Sequence, residues 1–124
     1  DSDVLLHNYR PGAMDKLGLG SETLRASNER LIYLGVSGFG TTGPMSDYPA
    51  YDMVIQGLTG ITALQGSDNE MQHINMLVCD KITAYTVAQA TTAALLARAS
   101  TGKGQHIDIS MLQANLAFMW PDGM

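Results

Sequence analysis

Two short apolar runs, VLLHNY (4–9) and LIYLGVS (31–37), bracket a stretch with the polar punctuation of short helices. No other feature constrains the chain as much. Short apolar runs rich in Val, Ile, Leu and Tyr suit buried strands. A strand, a helical crossover and a second strand make the pattern of a right-handed parallel unit. Between the runs, Pro11 fixes φ and Gly12 relaxes it, so the chain turns there. AMDKLGL (13–19) and GSETLRASNERL (20–31) are short helix candidates, the second with Ser21 as N-cap and Leu24 facing inward.

Further along, DMVIQGLTGITALQG (52–66) places Val54, Leu58, Ile61 and Gln65 at helical spacing, with Gly57 and Gly60 inside it. Those glycines cost helix stability unless another backbone packs closely. SDNEMQHIN (67–75) reads as a polar loop. Residues 80–100, full of alanine and threonine, are expected to form the longest helix; small side chains let neighbours approach, so it is expected to be largely buried. Gly102 is its C-cap, HIDIS (106–110) a strand, and MLQANLAFMW (111–120) a final helix. The chain of 124 residues has room for one domain with a core. Residues 1–124 are therefore read as a single α/β domain.

The balance of 12 acidic against 7 basic side chains argues against a nucleic-acid partner, which would require clustered Lys and Arg. The lone cysteine, Cys79, excludes a disulfide framework and fits a reducing compartment. Neither a signal peptide nor a bilayer span is visible, so no membrane partner and a cytoplasmic location are expected. The start DSDVLLHNY lacks an initiator methionine, and MWPDGM closes the chain after an apolar segment. Both ends are expected to cut through a larger protein.

VSGFGTTGP (36–44) contains a literal G-x-G-x-x-G at Gly38, Gly40 and Gly43. As a dinucleotide fingerprint it would need a helix opening at the third glycine, where free N–H groups meet the pyrophosphate. Pro44 and Pro49 deny it that helix, which favours a loop after a strand. Asp80 follows the apolar MLVC and precedes the long helix. It is either an ordinary N-cap or a carboxylate kept ionised at a helix start, able to attack an acyl carbonyl. Tyr48, Tyr51 and Asp52 form a polar-aromatic cluster, read alone as aromatic packing with Asp52 as helix N-cap. Arg10 and Lys16 flank the Arg-Pro-Gly turn and could hold phosphate, although solvated charge is the ordinary reading. Lys103 in TGKG falls short of a P-loop. His7, His73 and His106 show no metal spacing, and Cys79 reads as a buried thiol, so no metal is expected.

Five blocks stand in order: NYRPGAMDKLGLG, LIYLGVSGFGTTGP, YDMVIQGLTG, CDKITAYTVAQATTAALLAR and STGKGQHIDISMLQA. Together they resemble the family III CoA-transferases, which include formyl-CoA transferase, carnitine CoA-transferase and the α-methylacyl-CoA racemases. The resemblance covers nearly the whole chain and implies an internal fragment of a larger protein. The implied fold is part of a Rossmann-like large α/β domain, with parallel strands and packed helices. The implied assembly is two chains threaded as interlocked rings, hence a homodimer or higher oligomer.

By this resemblance Asp80 matches the catalytic aspartate, which passes coenzyme A between carboxylic acids through an aspartyl-CoA thioester. Asn8, Tyr9 and Arg10 match the segment lining the CoA nucleotide, Lys16 a basic position near its phosphates, and Tyr51 a residue beside the CoA chain. The implied partners are an acyl-CoA and a carboxylic acid. Racemases typically carry His where Tyr51 stands, and tyrosine, with a pKa of about 10, is a poor base at neutral pH. Transferase is therefore preferred over racemase. The rival readings are a non-catalytic CoA-binding or oligomerisation module and, on the glycines alone, a nicotinamide-binding domain.

Overall fold

In the computed structural model, three parallel strands lie in the order β1 (Val4–His7), β2 (Ile32–Ser37), β3 (His106–Ser110). The described residues are 2–67 and 69–122; the terminal residues 1, 123 and 124, and Asp68 of the polar stretch, lie outside them. β2 is central. Val4 pairs with Ile32 on one side, and Leu34 with Ile107 on the other. The first crossover carries two short helices, α1 (Ala13–Lys16) and α2 (Ser21–Ser27). The second carries α3 (Asp52–Leu58), α4 (Ile61–Gln65) and α5 (Val78–Thr101), and α6 (Met111–Met119) follows β3 directly. The expected α/β class, with parallel strands and packed helices, is what the chain adopts.

Strand side chains alternate between faces. One face presents Ile32, Leu34 and Ile109, and α5 lays Val87, Ala90 and Ala94 on it. A second cluster joins Ile55 of α3, Ile61 of α4 and Cys79 of α5, with Met111, Leu112 and Met119 of α6 against it. This cluster seats the start of α5 on the rest of the molecule. At the far end of α5, the Arg98 guanidinium donates to the carbonyls of Asp3 and Arg30 and pairs with the Asp3 carboxylate at 2.9 Å. It ties both strand entrances to the helix.

Four expectations need correction. Ser21 does not cap α2: Gly20 holds the N-cap position, and the Ser21 hydroxyl lies 3.1 Å from His106 Nδ1. Residues 52–66 are two helices, because Gly60 adopts φ 84°, a left-handed conformation that only glycine takes cheaply. α3 turns Asp52, Ile55 and Gln56 inward and α4 turns Ile61 and Thr62 inward, while Val54 and Leu58 are exposed. Nor is α5 largely buried. The sheet covers one stripe of it, leaving Tyr85 75 % and Leu96 74 % exposed. As expected, α5 ends at Gly102, in the left-handed C-cap conformation. The turn after α4 is tied at both ends: Ser67 and Glu70 pair by backbone hydrogen bonds, and the Gln72 N–H reaches the Thr62 carbonyl.

The sheet face opposite α5 carries His7, Tyr33 and His106, with Tyr33 edge-on to both imidazoles at 5.2 Å. Burial holds the His7 pKa below its ordinary value; Asp108 and Asp15 pull it up and His106 pushes it down. The unfolded chain therefore takes up a proton before the folded one. Stability from His7 is complete above the unfolded pKa of about 6.5 and declines as pH falls below it. Urea midpoints measured between pH 8 and 5 should fall on the acid side, and His7→Gln should flatten that fall.

Candidate active site

A cleft of about 820 Å³ opens beyond the C-terminal ends of β1 and β2. This is where open parallel sheets bind ligands, because the loops leaving adjacent strands diverge there. One wall is the segment after β1, with Asn8, Tyr9 and Arg10; the other includes Tyr48 and Tyr51 of the connector. Asp80, Thr83, Ala84 and Ala88 of α5 also line it, the two alanines leaving room for a ligand. Of the site residues read from the sequence, Asn8, Tyr9, Arg10, Tyr51 and Asp80 thus meet around one space. Lys16 does not: it stands exposed at the end of α1, outside the cleft lining.

The glycine-rich loop meets the cleft only through Gly38. Gly40 and Gly43 both adopt φ 95°, and the next helix after the loop begins only at Asp52. The dinucleotide fingerprint is therefore absent in three dimensions. Gly38 has a different task. A Cβ there would collide with Ala50, so the missing side chain lets the connector carrying Tyr51 run close to β2. Its carbonyl accepts from the Leu112 N–H at 3.0 Å and the Ser110 hydroxyl at 3.3 Å, which anchors the loop to the β3–α6 junction.

Asp80 is not the N-cap of α5. Leu77 occupies that position without a side-chain cap, and Asp80 lies in the first turn. First-turn N–H groups lack intrahelical partners. The Asp80 N–H finds one in Asp52 Oδ2, 2.9 Å away and 28 residues earlier in the chain. Asp52, 4 % exposed, is likewise not the N-cap of α3, where Tyr51 stands. The aromatic packing expected of Tyr48 and Tyr51 is not made either; both rings are exposed in the cleft wall.

Burial raises the Asp80 pKa, the Asp52 charge raises it further, and Lys81 opposes both. The Cys79 thiol next to it is fully buried and pushed up to about 12 by burial, Asp52 and Asp80. It stays protonated and packs as an apolar group. Of the two adjacent reactive side chains, only Asp80 opens to the cleft. Among the described residues, no three His, Cys, Asp or Glu side chains gather to hold a metal ion, and no helix is long and apolar enough to cross a membrane.

Sequence reasoning missed Asp52 and Gln56 as parts of this site. The available signal was their i, i+4 spacing, which puts both side chains on one helix face.

Comparison with known proteins agrees with this geometry. The model of CoA-transferase family III matches residues 1–124. The acetyl-CoA:oxalate CoA-transferase of Acetobacter aceti is 43 % identical over 95 % of the chain and 31 % of its own length. The succinate–glutarate CoA-transferase of Agrobacterium fabrum is 35 % identical over 95 % of the chain and 30 % of its length. Among solved structures, a CAIB/BAIF family protein from Brucella suis superposes with a TM-score of 0.91 at 41 % identity, covering 95 % of the chain and 32 % of that protein. The chain thus spans about a third of the length of the relatives it matches. A family match from the first residue to the last, joined to the same fold at 41 % identity, leads to one conclusion: the chain belongs to CoA-transferase family III.

Proposed function

We propose that the protein containing these residues transfers coenzyme A between carboxylic acids, with Asp80 as the carboxylate that carries CoA. The observation supporting this is the placement of Asp80 at a helix start, facing a cleft large enough for the reactive end of an acyl-CoA. A carboxylate oxygen of Asp80 attacks the thioester carbonyl, the C–S bond breaks, and CoA leaves as thiolate. The thiolate then attacks the Asp80 carbonyl carbon of the mixed anhydride, releasing the donor carboxylate and leaving an aspartyl-CoA thioester. The acceptor carboxylate repeats the sequence in reverse and leaves as its own CoA thioester. Splitting the exchange in this way avoids direct attack of one carboxylate on a distant thioester.

In this reading Asn8, Tyr9 and Arg10 line the CoA nucleotide, Tyr51 flanks the pantetheine chain, and Lys16 lies towards the phosphates. The relatives' substrates, acetyl-CoA with oxalate and succinate with glutarate, suggest small acids. Residues 1–124 form one α/β domain of a cytoplasmic homodimer or larger oligomer, a view supported by the exposed Tyr85, Leu96, Phe118 and Trp120. Tyr51 disfavours racemisation, since a phenol is a poor general base for an α-proton.

The test incubates the full-length protein with acetyl-CoA or succinyl-CoA and then with hydroxylamine. A hydroxamate at Asp80 is expected, and its absence would overturn the mechanism. Calorimetric binding of CoA with no modification would favour a non-catalytic module. Solvent deuterium at the α-carbon without transfer would favour racemisation.

The pH profile offers a second check. Transfer needs ionised Asp80, so the rate falls as pH drops through its raised pKa. Asp52→Asn removes a charge that raises that pKa, so the acid limb should move to lower pH. An unmoved limb would show that Asp52 does not act on Asp80 electrostatically.

A further inference from the structure

We propose that Gln56 is a positioning residue: its carboxamide, acting through Asp52, fixes where α5 begins and so where Asp80 stands in the cleft. The proposal rests on the transferase reading for its kinetic consequences, but not for its geometry.

Gln56 is 1 % exposed and makes hydrogen bonds from both ends of its amide. Nε2 donates to Asp52 Oδ1 at 2.6 Å and lies 3.3 Å from the Ile74 carbonyl and 3.2 Å from the Met76 carbonyl. Oε1 accepts from the Ile74 N–H at 2.9 Å. Residues 72–77 belong to no helix or strand, so their inward backbone groups need partners from elsewhere. Gln56 supplies them. Asp52, one helical turn away, uses its remaining oxygen to accept from the Asp80 N–H. A continuous chain of hydrogen bonds therefore runs from Ile74 and Met76 through Gln56 and Asp52 to the backbone of Asp80. Bonds to a carboxylate are the stronger kind, and they lie out of water.

The residue type matters at this position. The site needs a donor towards Asp52 and an acceptor towards Ile74, one methylene longer than asparagine provides. Leucine has the volume but neither function. Glutamate has the shape, but when ionised it sets a second carboxylate against Asp52.

The test uses the full-length protein with acetyl-CoA. Gln56→Leu should leave CoA binding within about threefold, because Gln56 does not line the cleft and its side chain bonds to Asp52, Ile74 and Met76. It should slow acylation of Asp80 about 100-fold, the usual consequence of a small misplacement of a reacting group. Exchange of the Asp80 amide hydrogen should speed up at least about tenfold, a readout that needs no chemistry. Gln56→Glu should be poorly active at high pH and regain activity on acidification as the new carboxyl takes up a proton. The wild type moves in the opposite direction.

Unchanged amide exchange in Gln56→Leu, or equal losses of binding and acylation, would overturn the proposal. If Gln56→Leu does not fold, the pH profile of Gln56→Glu decides: acid recovery supports positioning and a wild-type profile overturns it. A wild type that never acylates at Asp80 would defeat the transferase reading, while amide exchange would still judge Gln56.

Discussion

Asp80→Asn is expected to reduce CoA transfer by on the order of 10⁴-fold or more, the usual cost of removing a covalent nucleophile. Asparagine keeps the shape and the backbone N–H from which Asp52 accepts, so it deletes the proposed nucleophilic oxygen and little else. The fold should not suffer. Folding raises the Asp80 pKa, so the folded state holds the proton more tightly than the unfolded chain, and ionisation costs stability at neutral pH. A neutral amide relieves that cost, and the Tm at pH 7 should stay level or rise slightly. Steady-state transfer and thermal melts on the same preparation check both halves. Wild-type turnover would remove Asp80 as nucleophile, and a Tm lowered by several degrees would make it a structural residue.

The second large effect concerns the support beneath that helix start. Ile55 is fully buried and packs in the cluster that contains Ile61 and Cys79. Ile55→Ala should lower stability by about 3 kcal/mol, the sum of lost transfer energy and an unfilled cavity. Urea denaturation measures this directly. A loss below about 1 kcal/mol would mean that the cluster collapses to fill the space. Because Cys79 immediately precedes Asp80, the variant that still folds should also acylate more slowly.

Much of the fold was legible because its signals are local. β2 announces itself through Ile32, Tyr33, Leu34 and Val36, and Gly102 marks the end of α5 without help from tertiary structure. The glycine fingerprint at Gly38, Gly40 and Gly43 is excluded by Pro44 and Pro49, which deny it the helix it needs. What failed was non-local. α5 starts at Val78 and not at Asp80, with Leu77 as its N-cap, and the first-turn N–H of Asp80 is met by Asp52, a partner too far away in sequence to be read locally. The same fact hid Asp52 itself, which looked like the cap of its own helix. The burial of α5 was overestimated because alanine and threonine content reports how near a neighbour can come, not whether one is there. Lys16 matched the family pattern by position, and it stands at the end of α1, outside the cleft lining.

The turn after α4 carries a different kind of consequence. Ser67 and Glu70 close it on themselves, Gln72 fastens it to Thr62, and only beyond that does Gln56 take hold of Ile74. Residues added between Ser67 and Glu70 would lengthen the excursion without moving Asp80. An insertion there is therefore expected to leave the position of Asp80 unchanged. The same insulation makes exposed Asn69 a practical position for Asn69→Cys and a thiol-reactive fluorescent reporter, since Cys79 is buried.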